Sequence, residues 1–169
     1  MRFVACAAAA AYVLAATACG DSPMPGHVLG MYTVTGQSTS NTCGLGAPDP
    51  WKFTVQLSMQ GSTLYWSWLD GSPLLSAPTS SGGQVSIKNT EQLNADSTDA
   101  GLGPCTLVRD DDLELTLAAG TTPTAFSGTI GYTYTPASGA TCTDVLSASG
   151  GSFSTLPCAV TYGVSATRN

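Results

Sequence analysis

The stretch Trp51-Lys52-Phe53-Thr54-Val55-Gln56-Leu57-Ser58-Met59-Gln60 places an apolar side chain at every odd position and a polar one at every even position. A period of two is the signature of a β-strand with one buried and one solvated face. Gly61-Ser62 follows, and a glycine at the first turn position supplies the positive φ that a two-residue type II′ hairpin needs. The next residues are Thr63-Leu64-Tyr65-Trp66-Ser67-Trp68. If Gln60 pairs with Thr63, Met59 faces Leu64, Leu57 faces Trp66 and Val55 faces Trp68, all on one side of the sheet. Turn chemistry and hydrophobic pattern thus demand the same register, and a slip of one residue would turn Trp66 and Trp68 to water.

The same alternation extends in both directions. Segments 28–35, 84–90, 105–109, 113–118, 125–135 and 159–167 read as further strands, with a shorter one at 74–77 after the Asp70-Gly71 turn signal. Helical periodicity over ten residues is absent, and the one helical turn expected lies within 142–148. The chain is therefore expected to be all-β, with eight or nine antiparallel strands. Short connections favour an up-and-down meander closed into a barrel, and a β-sandwich is the alternative. Arg109-Asp110-Asp111-Asp112 stands between two apolar segments, where Asp is a common turn residue, and is expected to form a solvated hairpin tip.

Cysteines at 43, 105, 142 and 158 are an even set with no C-x-x-C spacing, so two disulfides are expected rather than a metal site. In a nine-strand meander the loops after the first strand and before the sixth share one end, and Cys142 and Cys158 flank a loop at the other. That parity pairs Cys43 with Cys105 and Cys142 with Cys158, and it fails if the strand count changes.

Only 9% of residues are charged, and the formal net charge is −6. Of the basic residues beyond Arg2, Lys52, Lys88, Arg109 and Arg168 are scattered along the chain, whereas phosphate binding needs clustered cations. Nucleic acid is not expected as a partner. Catalysis is not expected either. Serine or cysteine hydrolysis needs a base beside the nucleophile, but the one histidine, His27, stands next to Pro25 and Gly26 and no G-x-S-x-G elbow occurs. The carboxylates at 110–112 and 114 could serve a glycosidase or weakly hold calcium, but a turn accounts for them. No cofactor fingerprint or metal-ligand spacing is present.

The first residues carry a separate message. Arg2 precedes an apolar run from Phe3 to Ala18, which ends in Leu14-Ala15-Ala16-Thr17-Ala18-Cys19-Gly20-Asp21. The run is short of the roughly 20 residues that span a bilayer, but its charge, length and small residues suit a secretory leader. This segment resembles a bacterial lipoprotein signal peptide, with Ala16 where the family usually has Leu. The resemblance implies removal of 1–18, acylation of Cys19, and a cell-envelope protein held to a membrane by lipid. Gly20 after the acylated cysteine is compatible with the outer membrane by the same analogy. The competing reading is an ordinary cut after Ala18, which leaves Cys19 as a free thiol. In the lipoprotein reading residues 19–27 are the acylated cysteine and a short flexible tether, 28–169 form a single barrel domain, and the processed chain of roughly 150 residues is a usual domain size.

Gly30-Met31-Tyr32 on the first strand resembles the G-x-W signature of lipocalin-like barrels, with Tyr in place of Trp. Arg168 sits where that family keeps an arginine over the aromatic. The resemblance implies a barrel around a pocket for a small apolar ligand. Were such a pocket present, Tyr32, Trp66, Trp68, Phe126, Tyr132 and Tyr134 would line it. About eight strands also leave an interior just wide enough for side chains to fill. In that case the domain is a structural or interaction module presenting loops 38–50 and 136–154 to another envelope protein.

Overall fold

A computed structural model describes residues 24–44, 46–95 and 105–169. Cys19 and the leader lie outside the described residues. The domain is all-β: β1 (His27–Asn41), β2 (Trp51–Gln60), β3 (Thr63–Ser67), β4 (Leu75–Pro78), β5 (Gln84–Asn94), β6 (Thr106–Leu117), β7 (Ala125–Pro136) and β8 (Cys158–Arg168). They form one antiparallel sheet in the order β4-β3-β2-β1-β8-β7-β6-β5. Chain order is therefore also spatial order, as in a lipocalin-like up-and-down barrel. The wall nearly closes between β4 and β5, where Thr79 bridges Val85 and the Ser80 amide donates to the Gln84 carbonyl at 2.8 Å.

The central hairpin has the expected register: Gln60 pairs with Thr63, Met59 with Leu64 and Leu57 with Trp66. Gly61 has φ 61° and Ser62 does not share the positive sign, as a type II′ turn requires. β3 stops at Ser67, so Trp68 lies just past the ladder instead of pairing with Val55. β1 begins already at His27, which opens a strand rather than ending a tether. The helical turn is a single 3-10 turn, Ser147–Ser149.

The acidic run overturns one expectation. Arg109 to Asp112 is not a hairpin tip, because β6 runs unbroken from Thr106 to Leu117, and the strand count is eight. The cause is the partner strand. Glu114 faces Ser86, Asp112 faces Lys88, Asp111 faces Asn89, Asp110 faces Thr90 and Arg109 faces Glu91. Each of these pairs makes a side-chain contact, at 2.5, 2.7, 3.0, 2.6 and 2.9 Å respectively. Every carboxylate in the run thus has a cross-strand donor, which offsets the poor strand propensity of Asp. Alternation sends Asp110 and Asp112 outward and Asp111 inward, so these carboxylates do not converge as a cation site would require.

With eight strands the loop parity changes, and the disulfides change with it. Cys43, Cys105, Cys142 and Cys158 all lie at one end of the barrel, in or beside the β1–β2, β5–β6 and β7–β8 connections. The bonds are Cys43–Cys158 and Cys105–Cys142, not the pairing expected from nine strands. Each joins neighbouring strands. Asn41 pairs with Val160 on β1 and β8, and Leu107 pairs with Pro136 on β6 and β7.

Candidate functional site

Inward-facing side chains fall into two zones. Nearer the tether, Tyr32, Val34, Val55, Leu57, Leu64, Trp66, Leu113, Phe126 and Ile130 belong to one continuous buried cluster. Phe126 packs 5.5 Å from both Tyr32 and Trp66, ring centre to ring centre. The Tyr32 hydroxyl donates to the Pro123 carbonyl at 2.5 Å, so its polar end is satisfied. Burial raises its pKa, opposed by the charge of Arg168. The Nε1 of Trp66 is buried without a hydrogen-bond partner among the described residues.

Gly30, Tyr32 and Arg168 lie together where β1 meets β8. Gly30 has φ 139°, and the stem of Arg168 lies where a side chain would start, with Cδ 2.7 Å from an ideal Cβ. Arg168 pairs with Tyr32 across the β1–β8 ladder, and its guanidinium reaches the Leu29 carbonyl at 3.4 Å. The cation above an aromatic ring is instead Arg109, 5.4 Å from the centre of Tyr132.

Toward the disulfide end the interior becomes aromatic and then charged. Trp51, half-buried, touches Phe53 (4.1 Å), Tyr162 (5.0 Å), Tyr132 (5.9 Å) and Trp68 (6.1 Å) by ring centres. Asn89, Glu91, Arg109 and Asp111 complete this zone from β5 and β6. Arg109 holds Asp111 through Nε (2.6 Å) and Nη2 (3.0 Å), and Glu91 through Nη2 (2.9 Å). Asp111 is almost wholly buried, and its other donor is Asn89 at 3.0 Å. Burial works against the charge on Arg109, but hydrogen bonding to Asp111 and the two carboxylates outweigh it and raise its pKa. Burial, reinforced by the Asp111 charge, pushes the Tyr132 hydroxyl far above the ordinary phenol range.

Two stapled loops cap this end. The Asn41 side chain accepts from the amides of Cys43 (2.9 Å) and Gly44 (3.1 Å), which fixes the turn out of β1. Ser154 donates its amide to the Cys43 carbonyl at 2.6 Å, tying the β7–β8 loop to it. Phe153 packs on Tyr134 at 5.3 Å. Between the loops lies a cleft of about 200 Å³, floored by Tyr134 and Val160 and walled by Gly44, Ala47, Pro48 and Phe153.

Of the residues expected to line a ligand pocket, Tyr32, Trp66 and Phe126 come together in the packed zone. Trp68 and Tyr132 belong to the aromatic zone, and Tyr134 lies under the loop cleft. Four clefts on the domain, at the loop end, along β5 and β6, at the 79–83 and 118–123 turns and beside the 144–153 loop, do not include Tyr32, Trp66 or Phe126 in their walls. Sequence reasoning did not single out Asn89 or Glu91, and it placed Arg109 and Asp111 on a solvated turn instead of inside the barrel. Their signal was present: read as continuous strands, Leu107, Arg109, Asp111 and Leu113 share a face, and so do Ile87, Asn89, Glu91 and Leu93. Among the described residues, no three His, Cys, Asp or Glu side chains group so as to hold a metal ion.

No protein-family model, curated protein or solved structure matches this chain.

Proposed function

We propose that the chain is a cell-envelope lipoprotein, anchored in the outer membrane through acylated Cys19, whose barrel is a non-catalytic interaction module. The carrying observation is the filled interior: Tyr32, Val34, Val55, Leu57, Leu64, Trp66 and Ile130 are each fully buried by one another. A barrel filled in this way is a rigid support, and what it presents is its disulfide end. The β1–β2 and β7–β8 loops, shorter at the first strand than the expected 38–50 because β1 runs to Asn41, are held there by Cys43–Cys158 and Cys105–Cys142. Leu69 and Leu74, both exposed, flank the same end on the β3–β4 loop. Preordered loops with exposed apolar anchors lose little entropy on binding, which suits docking of another envelope protein. A photocrosslinker placed at Leu74 in growing cells should give one discrete adduct with an envelope protein, and the same group at Thr54 should not. Equal labelling from both positions would overturn the reading.

Two features favour a small apolar ligand as a second reading. Trp51, Phe53, Trp68 and Tyr132 form a half-buried aromatic zone, and among the described residues the N–H of Trp66 has no acceptor, which one polar atom on an otherwise apolar ligand would supply. Native mass spectrometry of protein isolated without denaturant separates the two: a co-purifying apolar molecule supports the carrier, and its absence the module.

A further inference from the structure

We propose that the tether end of the barrel rests directly on the leaflet that holds Cys19, with Val28 and Met31 at the lipid interface and the disulfide end pointed away. This orientation builds on the acylation of Cys19.

Chain length sets the first limit. Pro25 is held against the barrel by the Ser58 hydroxyl, which donates to its carbonyl at 2.7 Å. Gly26 is pressed on the Met59 backbone, so closely that an added Cβ would collide with it. The chain is therefore fixed to the barrel almost from Met24 onward. From Cys19 to Met24 even a fully extended chain spans only about 18 Å. β1, with 15 residues, carries the opposite end roughly 50 Å further along the strand. The lipid can reach the tether end and no other.

Charge supplies an independent argument. In a chain of net charge −6, the described acidic side chains avoid the tether end. Asp49, Asp70 and Asp144 lie on loops at the disulfide end, and the others lie along β5 and β6. Glu114 comes nearest, with Leu115, Thr116 and Leu117 still between it and the strand end. The turns at 61–62, 79–83 and 118–124 carry no charged residue, and among the described residues the ionisable side chains at that rim are His27 and Arg168; Asp21, between Cys19 and the described residues, is the one acid of the tether. An anionic bilayer repels carboxylates within a Debye length of its surface, so this distribution lets the domain approach. Val28 (45% exposed) and Met31 (46%) are large apolar side chains left on the first strand, beside the tether. Contact with lipid would cover them.

Hydroxyl-radical labelling tests the orientation. The natively processed protein is reconstituted in phosphatidylethanolamine–phosphatidylglycerol vesicles and compared with a Cys19→Ser form in solution. The mass of the N-terminal peptide reports acylation in the same sample. Labelling of Met31 is expected to fall about fivefold in vesicles, as for a side chain entering the headgroup region, and that of Leu74 to stay unchanged. Inserting about 20 Gly and Ser residues after Gly20 adds a coil of roughly 25 Å and should restore Met31 labelling without detaching the protein. A bare Cys19 thiol overturns anchor and orientation together. Acylated protein with Met31 labelled as in solution overturns the orientation alone. Protection of Met31 in the Cys19→Ser form that grows with protein concentration overturns it in favour of contact between two copies.

Discussion

Arg109 and Asp111 stand on the same face of β6 and form a two-point ion pair inside the barrel, with N–O distances of 2.6 and 3.0 Å. The Asp111 side chain is 1% exposed and the Arg109 side chain 23%. Removing one member of a buried pair strands the other's charge, which typically costs 3–5 kcal/mol. Asp111→Ala should therefore lower stability by about 3 kcal/mol, read as a fall in the urea midpoint. Replacing both residues by Leu should recover part of the loss, because no charge is then left alone in the interior and Glu91, which loses Arg109, is 39% exposed. If Asp111→Ala changes the midpoint no more than Asp112→Ala, the pair has no structural role. Asp112 bonds Lys88 on the outside, where an exposed pair contributes at most about 1 kcal/mol.

This pair also marks where sequence reading ran out. Alternation gave the central hairpin down to its register, since Trp66 and Leu57 had one arrangement that buried both. It failed at Asp110-Asp111-Asp112, because propensity treats three aspartates as a turn and cannot see Lys88, Asn89 and Thr90 waiting on the next strand. One misread turn added a strand, reversed the loop parity and exchanged the disulfide partners. The aromatic residues were legible as interior. Their division into a packed zone around Phe126 and a half-buried one around Trp51 depends on how far each lies along the barrel axis, which the sequence does not encode locally.

The observed connectivity predicts an order of disulfide contributions. Cys43–Cys158 encloses a separation of 115 residues and Cys105–Cys142 one of 37. In the chain-entropy model these stabilise by about 5 and about 4 kcal/mol, as upper values. The Cys43→Ala/Cys158→Ala double variant should thus unfold at lower urea than Cys105→Ala/Cys142→Ala. Non-reducing peptide mapping should recover Cys43 linked to Cys158. Recovery of Cys43 linked to Cys105 would contradict the strand order that places β1 beside β8 and β6 beside β7.

Two glycines should respond unequally to substitution. A Cβ on Gly128 would lie 2.0 Å from the Glu114 carbonyl oxygen, and one on Gly30 would lie 2.7 Å from Cδ of Arg168. Backbone inside a ladder cannot yield, whereas a long side chain can swing away. Gly128→Ala should cost more than Gly30→Ala, each on the order of 1–3 kcal/mol or above. Adding Arg168→Ala should relieve part of the Gly30→Ala cost but none of the Gly128→Ala cost, and a thermal melt of the four variants measures both comparisons.

The interior tyrosines predict an alkaline limit to stability. Burial raises the pKa of Tyr32, Tyr132, Tyr134 and Tyr162 above the ordinary phenol value of 10.0, most strongly for Tyr132 beside Asp111. A raised native pKa means that the unfolded chain loses its proton first as pH rises. Stability from these groups is therefore complete below about pH 10 and declines above it, because ionisation pulls the equilibrium toward the unfolded state. Urea midpoints should be flat with respect to these groups between neutral pH and pH 9, then fall. Tyr132→Phe should reduce the slope of that fall, since phenylalanine has no proton to lose. Tyrosinate absorbance should appear together with the loss of near-ultraviolet circular dichroism. Full ionisation of all four hydroxyls near pH 10 in protein with native circular dichroism would show that they are in water, and the filled barrel would have to be abandoned.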